Sequence, residues 1–224
     1  MNIPQIRIQA SPLLFNSISE EERQKWASET GNPLLDISSV EQYVKEFKLQ
    51  WNIYEQQIIG AMYELYGVQF KKSIIDVYIS PWNKSISNPL ILNPSRPPEI
   101  HVDTLIHELL HGLFTDNSSF SMHDKNQSVK LIDKWRELFG DDLEWKTLVH
   151  IPVHAGLKAI FLDTLQAPER FARDIERHIN NPAYKAAWDY VEEHGYKEIN
   201  EKLRQLYKSF GETGSSFGKS AVLC

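Results

Sequence analysis

Leu105-Ile106-His107-Glu108-Leu109-Leu110-His111-Gly112 is the stretch of this chain in which secondary structure and ligand chemistry agree. Apolar residues recur at Val102, Leu105, Ile106, Leu109, Leu110 and Leu113, at intervals of three and four, which predicts an amphipathic helix. On a helix His107 and His111 lie one turn apart on the same face. Two imidazoles so placed can reach one Zn²⁺ ion at roughly 2.0–2.1 Å each. Glu108 follows the first of them and points beside such an ion, where a carboxylate can take a proton from water. The alternative is a helix with two hydrogen-bonded histidines and a rim carboxylate. The apolar setting favours ligands, because polar groups without partners are costly to bury.

Around this stretch the chain has the composition of a globular protein. Hydrophobic residues make up 42% of its 224 residues, with six Trp, nine Tyr and ten Phe as core material. The formal net charge of −6 argues against a general binder of nucleic acid or of anionic membranes. One cysteine, Cys224, excludes an internal disulfide framework. The N-terminal residues lack the basic start and apolar run of a signal peptide, and no stretch is long enough for a membrane span. The expectation is therefore a cytoplasmic protein with no membrane and no nucleic-acid partner.

Upstream, residues 1–37 read as a lead-in, extended at first and then carrying a short helix with Ser19 and Glu22 spaced as a capping box. The long helix that follows opens at a second such pair, Ser38 and Glu41. Val40, Val44, Phe47, Trp51, Tyr54, Ile58, Met62 and Leu65 form its stripe, and Gly67 stops it. The stripe is read as core rather than as a binding surface. Ile74 to Ile79 is rich in β-branched residues and predicts a strand. Pro89 to Leu92, bounded by prolines, predicts an edge strand, which could accept an extended peptide by strand addition. Downstream, helices are predicted over 129–139, 148–165, 168–179, 182–191 and 197–210, and residues 211–224 as a flexible tail. The whole reads as one α+β domain over 1–210, mostly helical. Residues 38–120 hold a small twisted sheet of three or four strands and the metal helix, and 121–210 form a helical half.

A catalytic zinc ordinarily has three protein ligands and one open position. The pattern that places the third ligand further along the same run is absent, since Phe114 and Asn117 stand where Gly and His are needed. Thr147 to Gly156 supplies His150 and His154, again four apart, and the small residues Ala155 and Gly156 would let this helix come close to the metal helix. His154 is the favoured third ligand, with His150 and Glu144 as alternatives and Asp133, Glu137 and Asp163 behind them. The histidine that does not bind, here His150, could hydrogen-bond the oxyanion of a tetrahedral intermediate. His178 and His194 read as surface residues, and His123 and Asp124 as loop residues.

The strand at 74–79, the strand at 89–92 and then His107-Glu108-Leu109-Leu110-His111 on a helix resemble the zincin metallopeptidases, in particular the small gluzincin-like ones. The resemblance spans roughly residues 38–165. It implies a zinc-dependent peptidase acting on peptides or proteins, with His107 and His111 as ligands and Glu108 as general base. The Glu-containing motif that carries the third ligand in typical gluzincins has no counterpart here.

Overall fold

The structure is a computed structural model that describes residues 3–30, 35–81, 85–123 and 125–216. It is a mostly helical α+β fold with one mixed four-stranded sheet. Its chain divides into two compact units, Pro4–Gln56 with Lys72–Leu109, and Met1–Ile3 with Gln57–Lys71 and Leu110–Cys224. Two helices run from one into the other, α3 (Ile37–Tyr66) and α4 (Pro98–Thr115).

The first unit holds the sheet. Strand β1 (Gln5–Ala10) lies in the segment expected to be an extended lead-in and pairs in parallel with β2 (Ile74–Ile79). Its alternation of polar and apolar residues is the period of a half-buried strand, and Ile8 is the residue it buries. Opposite one another in the register, Arg7 donates through Nε and Nη2 to both carboxylate oxygens of Asp76, at 2.8 and 2.9 Å. A five-residue helix α1 (Pro12–Asn16), capped by Ser11, and α2 (Glu20–Thr30) follow β1. The capping box at α2 forms as expected: Glu22 N donates to Ser19 Oγ, and Ser19 N to Glu22 Oε2. At α3 the cap is Asp36 rather than Ser38, because Asp36 Oδ1 accepts from Ser39 N at 2.7 Å. Val40, Val44, Phe47 and Trp51 are buried, as core residues should be.

The expected edge strand is an interior one. Strand order is β1-β2-β4-β3, so β4 (Leu90–Leu92) lies between β2 and the two-residue β3 (Ile86–Ser87). All three residues of β4 are buried, which suits a short apolar run flanked by sheet on both sides. The prolines stand outside the strand and remove no ladder bond from it. Ile91 pairs with both Tyr78 and Ile86, so strand addition at this position has no free edge.

The second unit is helical among its described residues, apart from isolated bridges. The ends of α3 and α4 join α5 (Lys125–Phe139), α6 (Trp145–Ala159), α7 (Pro168–His178), α8 (Pro182–His194) and α9 (Tyr196–Ser216). Gly67 and Gly140, both with positive φ, end α3 and α5. Helix α6 passes into one π-helical turn, Ile160–Thr164, in which Leu165 N bonds back to Ile160 O. Helix α9 extends through Ser216, so the tail expected from residue 211 begins as helix, and the rest of that expectation lies outside the described residues. Among the described residues no helix is long and apolar enough to cross a membrane.

Gly156 sets how closely α6 can pass its neighbours. A Cβ built there would lie 2.5 Å from Tyr66 Oη and 3.1 Å from both terminal methyls of Leu110 on α4. The close approach expected from Ala155-Gly156 is therefore present, and only glycine fits it.

Candidate metal centre

Helix α4 begins at Pro98, where a missing N–H removes no helical bond. Its stripe Val102, Leu105, Ile106, Leu109, Leu110 and Leu113 is fully buried. The stripe fixes the rotation of the helix, and that rotation carries His107 and Glu108 into buried positions as well, at 5% and 8% exposure. His107 and His111 sit one turn apart, as the motif requires.

The third member of the group comes from α6, and it is His150. One nitrogen each from His107, His111 and His150 lie within 4.8 Å of one another. The rings of His111 and His150 meet edge to face, with centroids 4.9 Å apart. His150 Nδ1 lies 2.6 Å from the carbonyl oxygen of Lys146, one turn back on its own helix. A carbonyl only accepts, so Nδ1 carries the proton and Nε2 keeps its lone pair. A backbone bond of this kind fixes tautomer and ring orientation in a histidine that binds metal through its other nitrogen. Burial pushes His111 down to about 3, helped by the nearby His150. Burial likewise pushes His150 down to about 4, against the opposing pull of its bond to Lys146. Both are neutral imidazoles at neutral pH, the form that can donate to a cation.

His154, expected to be the ligand, is not in this group. It lies one turn further along α6, which shifts it by about 6 Å along the axis. There it is fully buried and stacked on Trp188 of α8, centroids 4.2 Å apart and planes 13° from parallel. Its nitrogen instead falls within 4.8 Å of ligand atoms from Asp174 and His178. His150, expected to be an oxyanion donor, takes the position expected of His154. The sequence gives the spacing between these two histidines but not which turn of α6 lies level with His111.

The other candidates have different duties. Glu144 is exposed and caps α6, accepting from Lys146 N at 3.2 Å. Asp133 is exposed, Glu137 pairs with Lys134, and Asp163 accepts from Tyr196 Oη at 3.0 Å. His123 lies 3.8 Å from Asp116, and Asp124 is outside the described residues. His194 is at the surface as expected, stacked on Tyr190. His178 is not. Its ring is turned inward, Nδ1 donating to the buried Asp174 at 3.2 Å. Asp174 and His178 stand four apart on α7, the same spacing as the motif on α4. That spacing was the available signal, and the polar residues around it obscured the buried face.

The donor set suits zinc. Three imidazole nitrogens match the ligand count of a catalytic zinc site, and imidazole is a preferred zinc ligand. No family model matches the chain, and no curated protein and no solved structure matches it.

Proposed function

We propose that this protein is a zinc-dependent hydrolase of peptide bonds, with His107, His111 and His150 holding the ion and Glu108 as general base. The observation that carries this reading is the convergence of three imidazole nitrogens from α4 and α6, with a buried carboxylate next to the first of them. Zinc bound there supplies a Lewis acid that makes water acidic enough to react near neutral pH. The chain's own residues do the rest. Glu108 accepts a proton at its carboxylate and returns it to the leaving amine, so one group serves both transfers. The Lys146 carbonyl holds the His150 ring in one tautomer. Burial keeps His111 and His150 uncharged at neutral pH. The substrate in this reading is a peptide or protein, and the setting is cytoplasmic, where a chain with one cysteine relies on no disulfide.

A non-catalytic module with a closed zinc site made by four histidines fits less well. His154 belongs with Asp174 and His178 rather than with the other three. A buried Glu108 is also a cost that a purely structural site gives no reason to carry. The test is hydrolysis of a peptide library by the zinc-loaded protein, compared with Glu108→Gln. Cleavage by the wild type that Glu108→Gln abolishes, while keeping its zinc, supports the reading. Equal cleavage by both, or none by the zinc-loaded wild type, overturns it.

A further inference from the structure

A second cluster with metal-ligand chemistry lies one helical turn from the first and shares no residue with it. His154 from α6 and Asp174 and His178 from α7 each present one ligand atom, and the three lie within 4.8 Å of one another. We propose that these residues form a second divalent-cation site, of two imidazoles and one carboxylate, suited to Zn²⁺. It goes beyond the hydrolase reading and does not depend on it.

The geometry supports this in three ways. First, His178 Nδ1 and Asp174 Oδ2 are 3.2 Å apart. Two ligand atoms bound tetrahedrally to one zinc ion at roughly 2.0–2.1 Å are about 3.3 Å apart. The hydrogen bond present without an ion therefore already holds both atoms at ligand spacing. On binding, the ring carries its hydrogen at Nε2 and Nδ1 becomes the donor. Second, Arg177 Nη2 donates to Asp174 Oδ1 at 2.8 Å, which occupies one carboxylate oxygen and leaves Oδ2 toward His178. Third, His154 is held by stacking on Trp188, and the ring of Tyr184 lies 4.7 Å from that of His178. The walls of the cluster are thus aromatic and preformed. The histidine rings on α6 and α7 run in file from the first group: His150 to His154 at 5.7 Å, then His154 to His178 at 6.2 Å.

The bland alternative is that Asp174 is buried only as the partner of Arg177 and His178. That ion pair accounts for the carboxylate, and stacking on Trp188 for the burial of His154, but neither calls for ligand atoms of all three residues within 4.8 Å of one another. The guanidinium also repels a cation, so this site should be the weaker of the two.

Zinc content decides the matter. Metal-free protein is dialysed to equilibrium against Zn²⁺ and bound metal is measured by mass spectrometry, for wild type, His178→Ala, Asp174→Asn and His111→Ala. The expected result is about two Zn²⁺ per wild-type chain and about one in each variant, with the weaker equivalent missing from His178→Ala and Asp174→Asn. His178 is partly exposed, so its truncation disturbs packing less than that of the buried aspartate. One equivalent in wild type, lost in His111→Ala and kept in His178→Ala, overturns the second site and leaves the first. Two equivalents kept in both α7 variants overturns the assignment to these residues. No zinc in His178→Ala and one in His111→Ala retains this site and removes the first.

Discussion

Replacing Gly156 with alanine tests whether the close passage of α6 by α4 and α3 is what holds this half of the protein together. The new Cβ would meet Tyr66 Oη at 2.5 Å and Leu110 Cδ1 and Cδ2 at 3.1 Å. Tyr66 cannot simply withdraw. Its hydroxyl donates to Asn200 Oδ1 at 2.9 Å, its ring is buried edge-on against Phe114, and Asn200 Nδ2 in turn donates to Ala155 O. Relief requires either breaking the buried Tyr66–Asn200 bond, at about 1–3 kcal/mol, or pushing α6 outward, an overpacking cost of about 1–3 kcal/mol. Alanine in a helix regains about 1 kcal/mol over glycine. The net is a loss of up to about 2 kcal/mol, a fall in Tm of as much as roughly 8 °C for a chain of this length. Since His150 rides on α6 and His111 on α4, outward movement should also weaken zinc retention in competition with a chelator. Thermal unfolding followed by circular dichroism measures the first effect and chelator titration the second. A Gly156→Ala protein that melts above the wild-type temperature would refute the reasoning.

His107→Ala and His150→Ala should each deplete zinc from the first group, whereas His154→Ala should leave that group loaded; metal analysis showing the reverse pattern for the two α6 histidines would restore His154 as ligand. Glu108→Gln should retain zinc and fold yet lose hydrolysis by about 10²–10⁴, read as initial rate on a cleaved peptide. Chelation should abolish hydrolysis without unfolding the chain, since its apolar core does not depend on an ion as a small zinc domain does; collapse of the far-ultraviolet circular dichroism on adding chelator would contradict that.

The sequence was most legible where one signal acted alone. The stripe on α4 and the stop at Gly67 depend on local periodicity and local backbone geometry, and both appear where expected. The Ser19–Glu22 box is equally local. Legibility failed where the answer was a matter of neighbours. Gln5 to Ala10 alternates like a strand but becomes one only by pairing with residues 74–79, far along the chain. The prolines beside Leu90–Leu92 suggested an edge, yet the strand order that makes β4 interior is set by Ile86–Ser87 folding back on it. His178 looked like a surface residue because its helix is polar. The face carrying Asp174 and His178 is known only once α7 is set beside α6.

The exchange of His150 and His154 follows from the same distinction, and it bears on the chemistry. A helix whose sides are apolar almost all round, as α6 is, has no amphipathic stripe to show which histidine faces α4. What separates them is the partner each finds. His150 finds the Lys146 carbonyl for Nδ1 and the edge of His111 for its ring, an arrangement that puts the proton on Nδ1 and the lone pair on Nε2. His154 finds the face of Trp188 and the neighbourhood of Asp174. Burial then acts on both in one direction, keeping the rings uncharged and able to donate. The pair His150 and His154 repeats, on α6, the spacing of His107 and His111 on α4. On α4 both histidines belong to one group, because residues one turn apart share a face of the helix. On α6 the same step leads from the group shared with α4 to the group shared with α7, because a third helix stands ready with a carboxylate and a histidine of its own.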